Sequence, residues 1–298
     1  MAGARLWYAM SLLRCGAFAA ALGLTFPGDR SMNDIQRGEA MTATASTDMR
    51  PVREQVSAAE WQVRVDLAAC YRLIHHYGMD EMVANHISVR VPGEEGTFLL
   101  NPYGLLYDQM TASCFIKVND AGEVLFDPTG LGCNKAGFVI HSAVHMARHD
   151  VDCVIHTHSL AGMAVSAMKV GLLPIAQSSM RFIDIAYHEF EGPALNLDER
   201  TRLVEHLGDR EVMILRNHGL LVTGTSIAEA FNNVFRLERA CQLQVMALSC
   251  NTELHMPSRE AVTETNRLFK PTGMRRRGVL EWPALLKRLD GIDPSYRD

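Results

Sequence analysis

Two strand-like runs, Val212-Met213-Ile214-Leu215 and Leu220-Leu221-Val222-Thr223, stand only four residues apart, with Arg216-Asn217-His218-Gly219 between them. A link that short joins antiparallel strands, because parallel neighbours need a crossover of a dozen or more residues. Extended runs at 87–91, 97–100 and 114–118, punctuated by Asn101-Pro102-Tyr103-Gly104 and Asp120-Ala121-Gly122, read as a meander in the first half. Hairpin-length connections at both ends therefore exclude a purely parallel sheet. Between them the pattern turns helical. Ser57-Ala58-Ala59-Glu60 is a capping box opening a helix over 61–77, and Ser226-Ile227-Ala228-Glu229 opens another to about 248. Further helices are predicted at 137–149, 160–168 and 198–207. The order specifies an α/β protein whose mixed or largely antiparallel sheet is covered by helices.

With 298 residues and 48% apolar content the chain can bury a sizeable core. A formal charge of −5 argues against nucleic-acid binding, which needs clustered cations, and Arg275-Arg276-Arg277 reads as a solvated turn. Seven cysteines without a C-x-x-C pair read as reduced core residues of a cytoplasmic protein. The apolar stretch 6–26 faintly resembles a secretory signal or membrane span, yet Arg14 in its middle would be costly in a bilayer. A start at Met32 or Met41 is the favoured reading, and 31–49, rich in Ser and Thr, reads as disordered. The expected division is a leader at 1–52, one domain at 53–253, and a helical tail at 254–298 that packs on the domain or a neighbouring subunit.

Histidines mark the ends of two strands. His156-Thr157-His158 follows Cys153-Val154-Ile155, and His218 sits in the hairpin link. Residues two apart on a strand face the same way, so His156 and His158 can converge on one ion. Three imidazoles with a fourth position left to water or substrate is the plan of a catalytic zinc site, whereas structural zinc takes four protein ligands. On spacing alone, three locally hydrogen-bonded histidines remain an open alternative.

The runs Asn85-His86-Ile87-Ser88, Asn101-Pro102-Tyr103-Gly104-Leu105-Leu106-Tyr107, 134–141, His156-Thr157-His158 and Leu215-Arg216-Asn217-His218-Gly219-Leu220 together resemble the class II aldolase/adducin family, over roughly residues 60–250. The resemblance implies a three-layer α/β/α fold with a central, mainly antiparallel sheet. It also implies Zn2+, or another divalent ion such as Fe2+ or Mn2+, on His156, His158 and His218, and a homotetramer with sites between subunits. The family's enzymes are lyases that stabilise an enediolate on the metal. Two departures qualify this. The Glu that shuttles the proton in the sugar-phosphate aldolases is matched by Gly137, and no carboxylate lies between Asp127 and Asp150. Their phosphate-cradling hydroxyl residues are matched by Lys135 and Ala136, and a Thr by Tyr103, which disfavours a sugar phosphate.

The expected function is a metal-dependent lyase, an aldolase or decarboxylase acting on a small hydroxy-carbonyl or hydroxy/oxo acid. Its partner is an anionic small molecule, not a nucleic acid or a membrane. His141 and His145, one helical turn apart, are the candidate acid/base pair if their face meets the metal, with Tyr103 as a weaker one. Asn85, Lys135 and Arg216 are candidate substrate-binding residues, and Tyr107 a weaker one. The runs 134–138 and 164–169 look closer to adducin heads, so the alternative is a non-catalytic adducin-like scaffold, tied to the actin cytoskeleton by resemblance only.

Overall fold

The computed structural model of the chain describes residues 40–41, 48, 50–192, 197–270 and 276–298. The apolar stretch at 6–26, Met32, most of the Ser- and Thr-rich segment and Arg275 lie outside the described residues. Ten strands are described: β1 (Ala40–Met41), β2 (His86–Arg90), β3 (Thr97–Leu100), β4 (Ile116–Asn119), β5 (Val124–Phe126), β6 (Cys133–Asn134), β7 (Cys153–Thr157), β8 (Ala186–His188), β9 (Val212–Leu215) and β10 (Gly219–Gly224). Eight of them form one sheet in the order β5-β4-β3-β2-β7-β10-β9-β8. Every pairing in it is antiparallel except that of β8 with β9. Inside the expected leader, Ala40 and Met41 pair with Asn134 and Cys133, so that segment is not structureless throughout.

The helices are α1 (Val52–Gln55), α2 (Ala58–His76), α3 (Lys135–Ala147), α4 (Leu160–Ser166), α5 (Gln177–Met180), α6 (Leu197–Leu207), α7 (Ile227–Ser249), α8 (Arg259–Phe269) and α9 (Glu281–Asp290). Ser57 caps α2 by accepting the Glu60 N–H at 3.1 Å, and Ser226 caps α7 by accepting that of Glu229 at 3.2 Å.

Strand alternation splits the sheet's side chains between two layers. Ile87, Cys153, Ile155, Leu220, Val222 and Ile214 face a core built with α2 and α7, whereas Val154, Met213 and Leu221 face Ile140 and Val144 of α3 and Leu203 and Leu207 of α6. The result is helices on both faces of a mainly antiparallel sheet. The tail packs against α2 and α7 through Trp282, Leu289 and Tyr296, and Trp282 Nε1–H donates to Asp66 at 3.0 Å.

One buried polar knot ties α2 to the meander. Arg64, fully buried, donates through Nε to Glu60 at 2.9 Å and through Nη1 to the Phe115 carbonyl at 2.9 Å, while Lys117 lies 2.7 Å from the other Glu60 oxygen. Removing one partner of a buried pair strands the other charge, at a cost of about 3–5 kcal/mol. Glu60→Ala is therefore expected to destabilise the fold by that amount in urea unfolding. The double substitution Glu60→Leu with Arg64→Met should cost much less.

Candidate metal centre

Three neighbouring strands end side by side where the histidines lie. His86 opens β2 and is the register partner of His156 on β7, whose neighbour across the other edge is Leu221 of β10. His158 follows the last residue of β7, two after His156 and on the same face. His218 sits in the turn between β9 and β10, where Asn217 takes a left-handed φ of 55° that Asn tolerates well. The His218 N–H then closes the turn on the Leu215 carbonyl at 3.1 Å. Gly219 permits the strands to close up, since a Cβ there would lie 2.4 Å from the Thr157 carbonyl oxygen.

The ligand atoms of His156, His158 and His218 all fall within 4.8 Å of one another. The Nε2 atoms of His156 and His158 are 2.9 Å apart, as close as two lone pairs sharing an ion would be. Their other nitrogens are engaged. His156 Nδ1 is 2.9 Å from the Leu220 carbonyl, which can only accept, so that ring carries its proton on Nδ1 and presents Nε2 bare. His158 Nδ1 meets a Glu81 carboxylate oxygen at 2.7 Å, the carboxylate–histidine arrangement that orients metal-binding imidazoles. Asn85 in turn accepts the Glu81 N–H at 2.7 Å. Burial, reinforced by neighbouring imidazoles, holds His156 well below the usual histidine pKa and His218 at about 4. Neutral nitrogens with oriented partners fit a divalent cation.

A fourth histidine, His86, adjoins this trio. Its ring centroid is 4.9 Å from that of His156 and 4.7 Å from that of His141, and its Nδ1 is 2.7 Å from His141 Nε2. His141 Nδ1 is 2.5 Å from Ser88 Oγ, which lies 2.7 Å from His145 Nε2. His141 and His145 thus reach the trio through His86 and Ser88. Ser88 has one proton, so it donates to one ring and accepts from the other. The chain His86–His141–Ser88–His145 then has two polarities, one leaving the second nitrogen of His86 bare and the other leaving it protonated. Reversing it requires one proton to enter at His86 and one to leave at His145 Nδ1.

His86 could not be recognised from its position alone. What makes room for it is Gly137: a Cβ there would sit 2.8 Å from His86 Cδ2 and 2.9 Å from Cγ. The imidazole and a side chain at residue 137 exclude each other. The missing Glu of the aldolase pattern was thus the signal that something else fills that space.

The remaining sequence candidates scatter around the centre. Asn85 is fully buried and its Nδ2 lacks a partner among the described residues. Lys135 is exposed at the start of α3, and Tyr103 is half-buried with its N–H on the Gly132 carbonyl at 2.7 Å. Arg216 stacks 4.2 Å over the Tyr187 ring and donates to the Met168 carbonyl at 2.7 Å. Tyr107 is a core residue, packed edge-on against Tyr71 at 4.5 Å.

Residues 65–245 match the family model described as Class II Aldolase and Adducin N-terminal domain. A crystal structure of an aldolase II superfamily protein from Pseudomonas syringae is 48% identical and superposes with a TM-score of 0.79, covering 84% of this chain and all of its own. L-fuculose 1-phosphate aldolase from Glaciozyma antarctica is 27% identical with a TM-score of 0.71, over 86% of this chain and 97% of its own. Alpha-adducin of Mus musculus is 45% identical over 189 residues, 63% of this chain but 26% of the adducin.

Burial pushes His86 and His141 well below the ordinary histidine pKa and His145 to about 3, the charge of Arg90 adding to the effect on His145. A histidine depressed in the fold stabilises it fully above the unfolded value near 6.5 and loses that contribution as pH falls below it. Stability is expected to decline from pH 6.5 downward, by up to about 1.4 kcal/mol per pH unit for each such ring. Urea unfolding at pH 7, 6 and 5 measures this. His145→Gln, which keeps an amide beside Ser88, should flatten the slope by about one proton.

Proposed function

The chain belongs to the class II aldolase and adducin family, and from that premise we propose that it is a divalent-metal-dependent lyase. It cleaves a carbon–carbon bond, by retro-aldol reaction or decarboxylation, in a small hydroxy-carbonyl or hydroxy/oxo acid. The observation that carries this reading is the convergence of His156, His158 and His218, with His156 fixed by a strand carbonyl and His158 by a carboxylate. Zn2+, Fe2+ or Mn2+ suits three imidazole nitrogens, and an ion held there would supply Lewis acidity to stabilise charge developing on adjacent substrate oxygens.

In this proposal His86 is the acid/base residue, standing where the family's aldolases have a Glu. It takes up a proton at its free nitrogen and returns it, while the hydrogen bonds through His141 and Ser88 to His145 hold its ring in place and fix which of its nitrogens is free. His141 and His145 are then positioning residues, and Tyr103 is a secondary donor. Asn85, Lys135 and Arg216 supply the donors and positive charge for a carboxylate-bearing substrate. The fuculose-phosphate aldolase relative supports the lyase class, while Lys135, Ala136 and Gly137 argue for a substrate other than a sugar phosphate. A homotetramer with sites between subunits, working in the cytoplasm, belongs to the same proposal. The described cysteines are all free, which suits a reducing compartment.

A second reading, a non-catalytic adducin-like scaffold, is favoured by the 45% identity to mouse alpha-adducin. Elemental analysis separates the two. Full-length protein from medium supplemented with zinc, iron and manganese is expected to carry about one divalent ion per chain, lost in His158→Ala. Against a panel of small hydroxy and oxo acids, His86→Gln should keep the ion yet lower kcat about 10²–10⁴-fold. Metal-free wild-type protein from that medium would leave the scaffold.

A further inference from the structure

A second concentration of polar groups lies at the opposite end of β10 from the histidines. There Asn233 of α7 donates to the Thr223 carbonyl at 2.9 Å, and Thr223 N–H bonds the Glu211 carbonyl at 2.8 Å. Into this corner reaches Arg181, which follows α5 and is 8% exposed. Its Nη1 donates to Asn232 at 2.8 Å and its Nη2 to Asn233, but both acceptors are neutral amides. Its Nε has no partner, and no carboxylate forms an ion pair with it among the described residues.

Arg277 stands nearby. It pairs with Glu211 and donates to the Phe269 carbonyl at 3.0 Å, and its buried Nε is likewise without a partner. Arg181, Arg277, Arg236, Lys270 and Arg276 share the wall of a cavity of about 240 Å³ in which Glu281 is the single carboxylate, itself 3.6 Å from Arg236. Five cations stand against Glu281 in the wall and, beside it, against Glu211 on Arg277 and Asp184 at 3.7 Å from Lys270, which leaves a formal +2 around one small hollow in a chain whose net charge is −5. Burial, then the charges of Arg277 and Arg236, bring Arg181 down to about 9. A structural ion pair would do the reverse. Glu229 and Glu281 act on Arg181 only through space, and a guanidinium taken from water with amide oxygens as its only direct acceptors weakens the fold unless something else compensates it.

We propose that this hollow is an anion site that takes a phosphate or phosphoryl group on Arg181 and Arg277, with Arg236, Lys270 and Arg276 around it. Guanidinium forks match oxyanions two bonds at a time, and several converging cations suit a dianion better than a single carboxylate. The volume lies below the range of about 300–1,000 Å³ usual for larger organic ligands, so the occupant is inorganic phosphate or a phosphorylated metabolite of a few carbons. About five strand residues at ~3.3 Å each separate this corner from the histidine end, so the site is distinct from the proposed metal centre.

The test is calorimetric titration of the full-length protein with inorganic phosphate, in a chloride buffer without other oxyanions, alongside melting temperatures. Saturable binding is expected, with a melting temperature that climbs with phosphate concentration by mass action. Arg181→Met should abolish that response while melting no lower than wild type in phosphate-free buffer, because it removes a buried charge that no carboxylate contacts directly. Lys270→Ala, on the exposed rim, should weaken binding several-fold without touching the core, so the test survives if Arg181→Met does not fold. His158→Ala should bind phosphate as wild type does. Tighter binding of glycerol 3-phosphate than of phosphate identifies a phosphorylated metabolite; equal binding identifies the free ion. No saturable binding up to ~10 mM phosphate, or a response unchanged in Arg181→Met and Lys270→Ala, overturns the proposal.

Discussion

The backbone ladder through β2, β7 and β10 sets His86 opposite His156 and Leu220 opposite Thr157, and those pairings decide where four imidazoles stand. A slip of one residue would turn His156 to the face of α2 and α7 and bring Ile155 to the face of α3. Register here is enforced from both sides, because the alternate residues of β7 fill two separate cores. Gly219 adds a steric limit, letting β10 approach Thr157 as no other residue would. The positions of the histidines are thus a by-product of apolar packing elsewhere in the same strands.

Burial then fixes their chemistry. An imidazolium sealed under α3 would be costly, so the buried rings stay neutral, and neutral rings must divide one proton between two nitrogens. The Leu220 carbonyl makes that choice for His156 and the Glu81 carboxylate orients His158, while the Ser88 hydroxyl shared by His141 and His145 links their two choices. Neutrality and polarity come from packing.

Much of this was legible in the sequence because its signals are local. The Ser57 and Ser226 caps, the hairpin about His218 and the strand ahead of His156 each follow from a few adjacent residues, and the helices and strands fall there to within three residues. What escaped the sequence is non-local. β8 is three residues long and gains its place only by lying parallel to β9, and β5 is as short. His86 carries no mark until the 2.8 Å approach to Gly137 shows that the two residues compete for one volume. The same holds for Arg181, an ordinary arginine in the sequence, whose isolation depends on α7 and on the segment around Arg277. That His141 and His145 share one face of the helix follows from their four-residue spacing. That Ser88 and His86 would occupy the space in front of it depends on strand register, which no helical periodicity encodes.

The carbonyl that selects the tautomer of His156 belongs to Leu220, 64 residues further along the chain and on the neighbouring strand. The ring therefore has a defined donor nitrogen only while β7 and β10 are zipped together. Whatever those three imidazoles hold is bound by a closed sheet and released by an open one, so ligand affinity and strand pairing are two legs of a single thermodynamic cycle. Loading the site would act as a clasp on the centre of the sheet, and chelation as a selective way of loosening it.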